Sequence, residues 1–243
     1  RFTQLGIKVK RITVVDDELS EIAQAFTELA SRNPDVVIST GGLGPTFDDK
    51  TLLGLAKAFR LELQIHHTEA KKLQEKYLDM WRRGTVKNPA LTSERLKMVT
   101  LPQTADVISN PVGAAPAVRF KRSNTIFYLL PGVPSEMEAI FSASIDREVV
   151  QLAPDASYAE DSLEVFGVPE SELAPLISAI MQKYPRVYIK SHPGVHEGKS
   201  RVELHFSVYS SFSERPDTQI ISAVAEICET LIAMGGKIRR TAV

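Results

Sequence analysis

A single cysteine, Cys228, is the sparsest feature of this 243-residue chain. One thiol excludes an intrachain disulfide and a cysteine-rich zinc site. Its setting, AVAEICETLI, has a helical pattern and assigns it a buried apolar role rather than a reactive one. No apolar run approaches the ~18 residues that a membrane helix needs, and no secretory signal opens the sequence, so a cytoplasmic protein without membrane association is expected. Neither sign of charge dominates: 29 Lys and Arg face 30 Asp and Glu, for a formal net charge of -1. That leaves no basic excess for nucleic acid or an anionic membrane, and no acidic tail. The five histidines show neither HExxH nor another ligand spacing, and no serine sits in a GxSxG elbow. A zinc enzyme and a serine hydrolase are rejected. At 43% hydrophobic and 24% charged residues, the chain has the material for one or two domains with a sizeable core.

The opening RFTQLG reads as the last turn of a helix capped by Gly6, followed by a strand at 8–15. An opening this abrupt implies an upstream strand and helix of about 20 residues. Asp16 or Asp17 can cap the next helix, in which Leu19, Ile22, Phe26 and Leu29 recur at helical spacing until Asn33-Pro34 ends it. VVIST is then a continuous apolar strand, and a second helix runs through Leu52, Ala56 and Phe59 to about Arg60. This alternation argues for a parallel sheet covered by helices. Residues 68–83 form a helix with Leu73, Tyr77 and Trp81 at spacing four; Trp81 is expected at a packed helix end, with base stacking beside Arg82 and Arg83 as the alternative. The stretch 84–116 reads as loop-rich, 125–130 as a buried strand, and PGVPSEM as the start of a helix to about Val150. APDAS (153–157) reads as a linker between domains at 1–153 and 158–243. Beyond it come strand 161–168, helix 170–182, strands 186–191 and 201–209, helix 216–233 and strand 236–240, the β-α-β-β-α-β order of a small α+β domain.

The chemistry concentrates in VVISTGGLGPTFDDKT (36–51). A strand that runs into Gly41, Gly42 and Gly44 before a helix lets backbone N–H groups approach an anion, and the helix N-terminus adds unsatisfied donors. This is neither GxGxxG nor GxxxxGK[ST], so a conventional dinucleotide fold or P-loop is unsupported. The adjacent Asp48 and Asp49 would repel a phosphate unless a divalent cation intervened; the simpler alternative is that Asp48 caps the helix and Asp49 favours its dipole. TIFYLLPGVPSEM repeats the strand–turn–helix theme, with Gly132 in the turn, Pro134 suited to the first helical position, and Ser135 offering a hydroxyl and an N–H. Glu136 is open to three roles: metal ligand, base, or a first-turn acid favouring the dipole. NPVGAAPAV (110–118) supplies Gly113 in a rigid turn, and ERLKMVTLP (94–102) supplies Arg95 and Lys97, which either neutralise a ligand or form solvated surface.

TGGLGPTFDDKT, ERLKMVTLP, NPVGAAPAV and LLPGVPSEM, in this order, resemble the molybdopterin-binding-like domain of the CinA family over residues 1 to about 150, and the remainder resembles the KH-like domain that follows it. The resemblance implies a three-layer α/β domain with a mainly parallel sheet and the ligand at the strand ends. It further implies metal-dependent hydrolysis of ADP-ribose or a similar dinucleotide to AMP and ribose 5-phosphate. The alternative is a non-catalytic molybdopterin- or nucleotide-binding module. Asp48 and Asp49 would hold Mg²⁺, Mn²⁺ or Co²⁺, and a monovalent cation is also admitted. Asp48, Asp49 and Glu136 would be the catalytic set; Gly41, Gly42, Gly44, Thr51, Arg95, Lys97, Gly113, Gly132 and Ser135 would bind the ligand. A homodimer without nucleic-acid partners is expected. The family's GTAPG turn is altered, with Ala114 and Ala117 in place of its Thr and second Gly. HPGVHEGK is not a GxxG loop, which argues against an RNA role.

Overall fold

The structure, a computed structural model, describes residues 1–152, 157–196, 199–210 and 216–241. These residues fall into two compact units. One is Ile12–Leu152; the other begins after Leu152 and also takes in Arg1–Arg11.

In the first unit, helix α1 (Leu19–Ser31) leads into strand β1 (Val36–Thr40), helix α2 (Thr51–Phe59), strand β2 (Leu63–Ile65), helix α3 (His67–Arg82) and helix α4 (Ser93–Lys97). Strands β3 (Thr100–Pro102), β4 (Asp106–Ile108), β5 (Ala117–Arg122) and β6 (Thr125–Leu130) follow. Then come α5 (Pro134–Ile140), a π-helical turn (Phe141–Ile145) and α6 (Asp146–Leu152). The main sheet has the order β1-β6-β5-β4, and β2 pairs with β3 separately. β1 pairs parallel with β6, whereas β6–β5 and β5–β4 are antiparallel. A mainly parallel sheet was expected; parallel pairing is confined here to β1 with β6, because only Ser123-Asn124 separates β5 from β6, too short a link for a crossover. Ser123 takes the left-handed conformation (φ 51°) to close that hairpin.

Every residue of β6 is buried, as a strand covered on both faces must be. Phe127 and Leu129 belong to a core with Ile22, Phe26, Leu55 and Phe59 from α1 and α2. Its aromatic centre is Phe26, Phe59, Phe120 and Phe127, with Phe59 and Phe127 5.3 Å apart edge to face. On the other face α6 approaches, and Arg119 of β5 donates from Nε to Glu148 Oε1 at 2.8 Å. The π turn lets Ile140, Ile145 and Val149 all be buried despite their spacing of five and then four. Helices, sheet and helices thus make the three layers of the expected α/β fold.

Four expectations change. Residues 8–15 form no strand, since a strand exists only by pairing and these residues pair with none of the described strands; Ile12 and Val14 are 83% and 90% exposed. Upstream, Gly6 (φ 72°) does cap a turn, but a single 3₁₀ turn at Thr3–Leu5. Trp81 is half exposed rather than packed, because the buried stripe of α3 runs Leu73, Tyr77, Met80 and the eighth residue has rotated off it. The stretch 84–116 contains α4, β3 and β4 rather than loop alone.

The second unit contains β7 (Ser157–Phe166), α7 (Glu170–Lys183), β8 (Val187–His196), β9 (Lys199–Ser210), α8 (Pro216–Ala233) and β10 (Lys237–Thr241). The sheet order β10-β7-β9-β8, antiparallel throughout, is the split arrangement expected of β-α-β-β-α-β. Leu163, Val165, Leu204 and Phe206 face the helices in its core. Cys228 packs against that core, and burial pushes its thiol up, in keeping with an apolar role. HPGVHEGK lies partly outside the described residues. On the opposite sheet face the buried Glu164 accepts from Arg201 Nε at 2.7 Å and is also bonded to Arg239.

Gly54, mid-helix in α2, marks where α1 and α2 touch: a Cβ there would meet Ile22 Cγ2 at 2.2 Å. Gly→Ala in a helix interior ordinarily stabilises by up to about 1 kcal/mol. Gly54→Ala is expected to destabilise instead, by about 1–3 kcal/mol, through overpacking, as read from the urea midpoint. The bonds from Arg201, aided by Arg239, hold the Glu164 carboxyl below the usual glutamate range. Its stabilisation is therefore present above the unfolded-state value of about 4.3 and is lost as pH falls through the lower folded-state value. Glu164→Gln is expected to lower the midpoint at pH 7 and to lessen its fall between pH 7 and pH 3, as a denaturation series across pH will report.

Candidate functional site

Parallel pairing sets Thr40, the end of β1, beside Leu130, the end of β6, so both following loops leave the sheet together. Gly41 (φ 93°) and Gly42 (φ 71°) turn the first loop through the left-handed region that favours glycine. Gly41 N donates to Leu130 O at 2.9 Å, and a Cβ on Gly132 would lie 3.1 Å from Gly41 Cα. The two loops therefore meet backbone to backbone. Thr51 closes the first loop onto α2: its hydroxyl donates to Gly41 O at 2.8 Å, its N–H donates to Gly42 O at 3.1 Å, and its Oγ1 fills the place of a Gly42 side chain.

The aspartates do not cap α2. Its N-cap is Lys50, with no side-chain cap bond. Asp49 instead folds back over Gly44, where a Cβ would stand 2.6 Å from Oδ2. That Oδ2 accepts from Thr46 N at 2.8 Å and lies 2.6 Å from Thr46 Oγ1. Asp48 Oδ1 contacts the same hydroxyl oxygen. A hydroxyl carries one hydrogen, so it cannot donate to both carboxylates at once. Bonding to Thr46 holds the exposed Asp48 carboxyl below its usual range, with Lys97 and Lys50 adding to the effect. Lys97 Nζ donates to Thr46 O, which ties α4 to the acidic loop.

A cavity of about 370 Å³ opens beside this loop, lined by Gly42, Gly44, Asp49 and Lys97 and by apolar side chains that include Leu53 and Leu96. Among the described residues no three His, Cys, Asp or Glu gather as a metal cluster. Two adjacent carboxylates still suit a hard cation such as Mg²⁺, which commonly takes one or two carboxylates and completes its shell with water and phosphate oxygens.

The remaining expected residues divide. Arg95 is committed elsewhere: its guanidinium stacks 3.7 Å from the Tyr77 ring centroid and donates to Asn88 O and Ala90 O. Ser135 is exposed in the first turn of α5, and Pro134 starts that helix as expected. Glu136 accepts from Asn110 Nδ2 at 2.6 Å and packs on Gly113, whose missing Cβ would collide with its carboxyl. Ala117 is fully buried as the first residue of β5. Neither His66 nor His67 lines the cavity; His66 caps α3 by accepting from Glu69 N at 3.3 Å.

Sequence reading overlooked Thr46, Asn110 and Lys76. Thr46 stood inside the acidic motif. Asn110 had a local signal, since Asn before Pro marks a turn, and its Oδ1 accepts from Val112 N and Gly113 N at 3.0 and 2.7 Å. Lys76 has no local signal, as it lies 34 residues from the loop it holds.

The family model described as "Probable molybdopterin binding domain" matches residues 1–150, a span that includes the Arg1–Arg11 segment grouped with the second unit. A protein of Pyrobaculum arsenaticum is 40% identical over 227 residues, 93% of this chain and 82% of the relative. One from Sulfurisphaera tokodaii is 38% identical over 239 residues, 98% of this chain and 88% of the relative. The crystal structure of the protein CinA with unknown function from Thermoplasma acidophilum is 40% identical with a TM-score of 0.52, covering 59% of this chain and 79% of that one.

The Gly42–Thr51 contact yields a coupled prediction. Gly42→Ala adds left-handed strain and a 2.1 Å collision with Thr51 Oγ1, and is expected to cost about 2–4 kcal/mol. In a double-mutant cycle, Thr51→Ala should cost less in the Gly42→Ala background than alone, because it removes the colliding atom. Additive costs by denaturant titration would contradict the contact.

Proposed function

This chain belongs to the family of probable molybdopterin-binding domains and is CinA-like, and from that premise we propose that it is a cytoplasmic, metal-dependent nucleotide pyrophosphatase. Its substrate is ADP-ribose or a similar dinucleotide, and its products are AMP and ribose 5-phosphate. The observation that carries this reading is the meeting of Asp48 and Asp49 around the single hydrogen of Thr46, beside a loop of left-handed glycines. Two carboxylates crowded on one hydroxyl suit a cation, and the glycine backbone offers N–H groups to phosphate oxygens.

In the reaction water adds across the anhydride. Its oxygen bonds to one phosphorus, the bond from that phosphorus to the bridging oxygen breaks, and a proton is released. A divalent ion, when bound, supplies charge neutralisation and acidifies water. Asp48 and Asp49 would hold that ion, with Thr46 keeping both carboxylates turned towards each other. Lys97 offsets local negative charge, and the Gly41–Gly42 and Gly132 loops orient the two phosphates. The apolar part of the cavity receives a flat ring, be it base or pterin.

The second reading, a module that binds a nucleotide or pterin without turnover, is favoured by the commitment of Glu136 to Asn110, which leaves the proposed base engaged. One assay separates them: AMP release from ADP-ribose, FAD and NAD with and without Mg²⁺, Mn²⁺ or Co²⁺, in the natural sequence and in Asp49→Ala. Metal-dependent release that Asp49→Ala lowers at least about 100-fold is expected. No release from any substrate, with ligand still raising the melting temperature, would sink the hydrolase and leave the binding module. Light scattering on the same sample reads the homodimer that the resemblance implies.

A further inference from the structure

Lys76 lies on α3, outside every motif of the sequence. Its Nζ donates to Asn110 O at 2.8 Å and to Gly113 O at 2.7 Å, so one ammonium holds both ends of the turn NPVG. Asn110, only 2% exposed, fixes the inside of that turn. Its Oδ1 accepts from Val112 N and Gly113 N, and its Nδ2 donates to Ala115 O at 2.8 Å and to Glu136 Oε2 at 2.6 Å. Glu136 occupies the first turn of α5, which starts from the loop whose Gly132 rests on Gly41. A continuous chain of contacts therefore leads from Lys76 to the glycine loops.

We infer that Lys76 is a positioning residue whose ammonium sets the 110–113 turn and, through Asn110 and Glu136, the place of the PGVP loop against Gly41. Carbonyl oxygens are left without donors if the ammonium is removed, and such charge-assisted bonds are stronger than neutral ones. Burial lowers the affinity of Lys76 for its proton, opposed by the nearby Glu69 and Glu136. Two carbonyl oxygens and two acids surround the ammonium. The inference rests on the proposed function only in treating the neighbouring glycine loops as a ligand site; the tie itself is independent of any ligand.

The test uses the full chain carrying Lys76→Ala. Alanine suits a helix interior, and the truncation enlarges a cavity of about 20 Å³ bordered by Glu69, Lys76, Ser109 and Asn110. Amide hydrogen exchange at Val112 and Gly113 is expected to speed up about tenfold, while amides of α1 and α8 keep their rates. Ethylammonium chloride, which returns an N–H donor to the cavity, should slow exchange again; tetramethylammonium chloride at equal ionic strength should not. Lys76→Met, which keeps the stem and drops the charge, should repeat the acceleration. Unchanged exchange in either folded variant would overturn the inference, as would equal recovery in both salts. So would failure of both variants to fold, since a tie confined to one turn leaves both cores intact. A melting shift with ADP-ribose in the natural sequence is read separately. Its absence counts against the ligand reading, and the exchange result still decides Lys76.

Discussion

The structure depends most on the contact between Gly41 and Gly132. Two strand-to-helix loops can share a ligand only if their backbones approach without side chains between them, and this contact is the point of approach. It follows from the sheet. β1 and β6 run parallel and in register, so their last residues, Thr40 and Leu130, stand side by side. β5 is antiparallel to β6, so its first residue, Ala117, falls at that same end, and Ile108, the last residue of β4, pairs with it. Four strand ends thus converge on one edge, and the loops 41–50, 109–116 and 131–133 must leave from there. The single parallel pair is enough to build the site, because the antiparallel hairpin delivers its preceding loop to the same place.

The charges at that edge are separated by role. Asp48 and Asp49 crowd one hydroxyl and face Lys97 across Thr46. Glu136, by contrast, is satisfied by a neutral amide and packs on a glycine. Two acids crowded on one hydroxyl suit a shared cation; Glu136 stands apart from them on α5. The distinction between the aspartates and Glu136 is one of placement rather than residue type.

Legibility in the sequence tracked the range of the interaction. The glycines, Thr51 and the paired aspartates act within one loop of each other, and their spacing announced them. The longer helices of both units were read from the sequence, α8 to its very ends, whereas the five-residue α4 was not. β2, β3 and β4 are three residues each, too short to carry a period of two. The strand-like composition of 8–15 stated a preference, but pairing is a property of two segments. Arg95 was read by its charge as a ligand for phosphate, yet it lies over Tyr77, eighteen positions away in sequence and adjacent only in the fold. Lys76 and Glu136 are the same lesson from the other side. Their partners sit on other elements, and no window of sequence contains both.

These long-range ties also bear on what the site can do. A loop of consecutive left-handed glycines has many conformations open to it before folding, and ordering it costs more than ordering other residues. The neighbours that restrain it are all side chains reaching in from rigid elements: Thr51 from α2, Lys97 from α4, Asn110 from the end of β4, and Lys76 from α3 through the NPVG turn. Within the loop itself Gly41 N–H donates to Leu130 O and Thr46 N–H to Asp49 Oδ2, so part of its backbone is already engaged. The ordering cost of that loop has already been met in the folded chain. The glycines supply access and their neighbours supply rigidity, and recognition at this edge needs both.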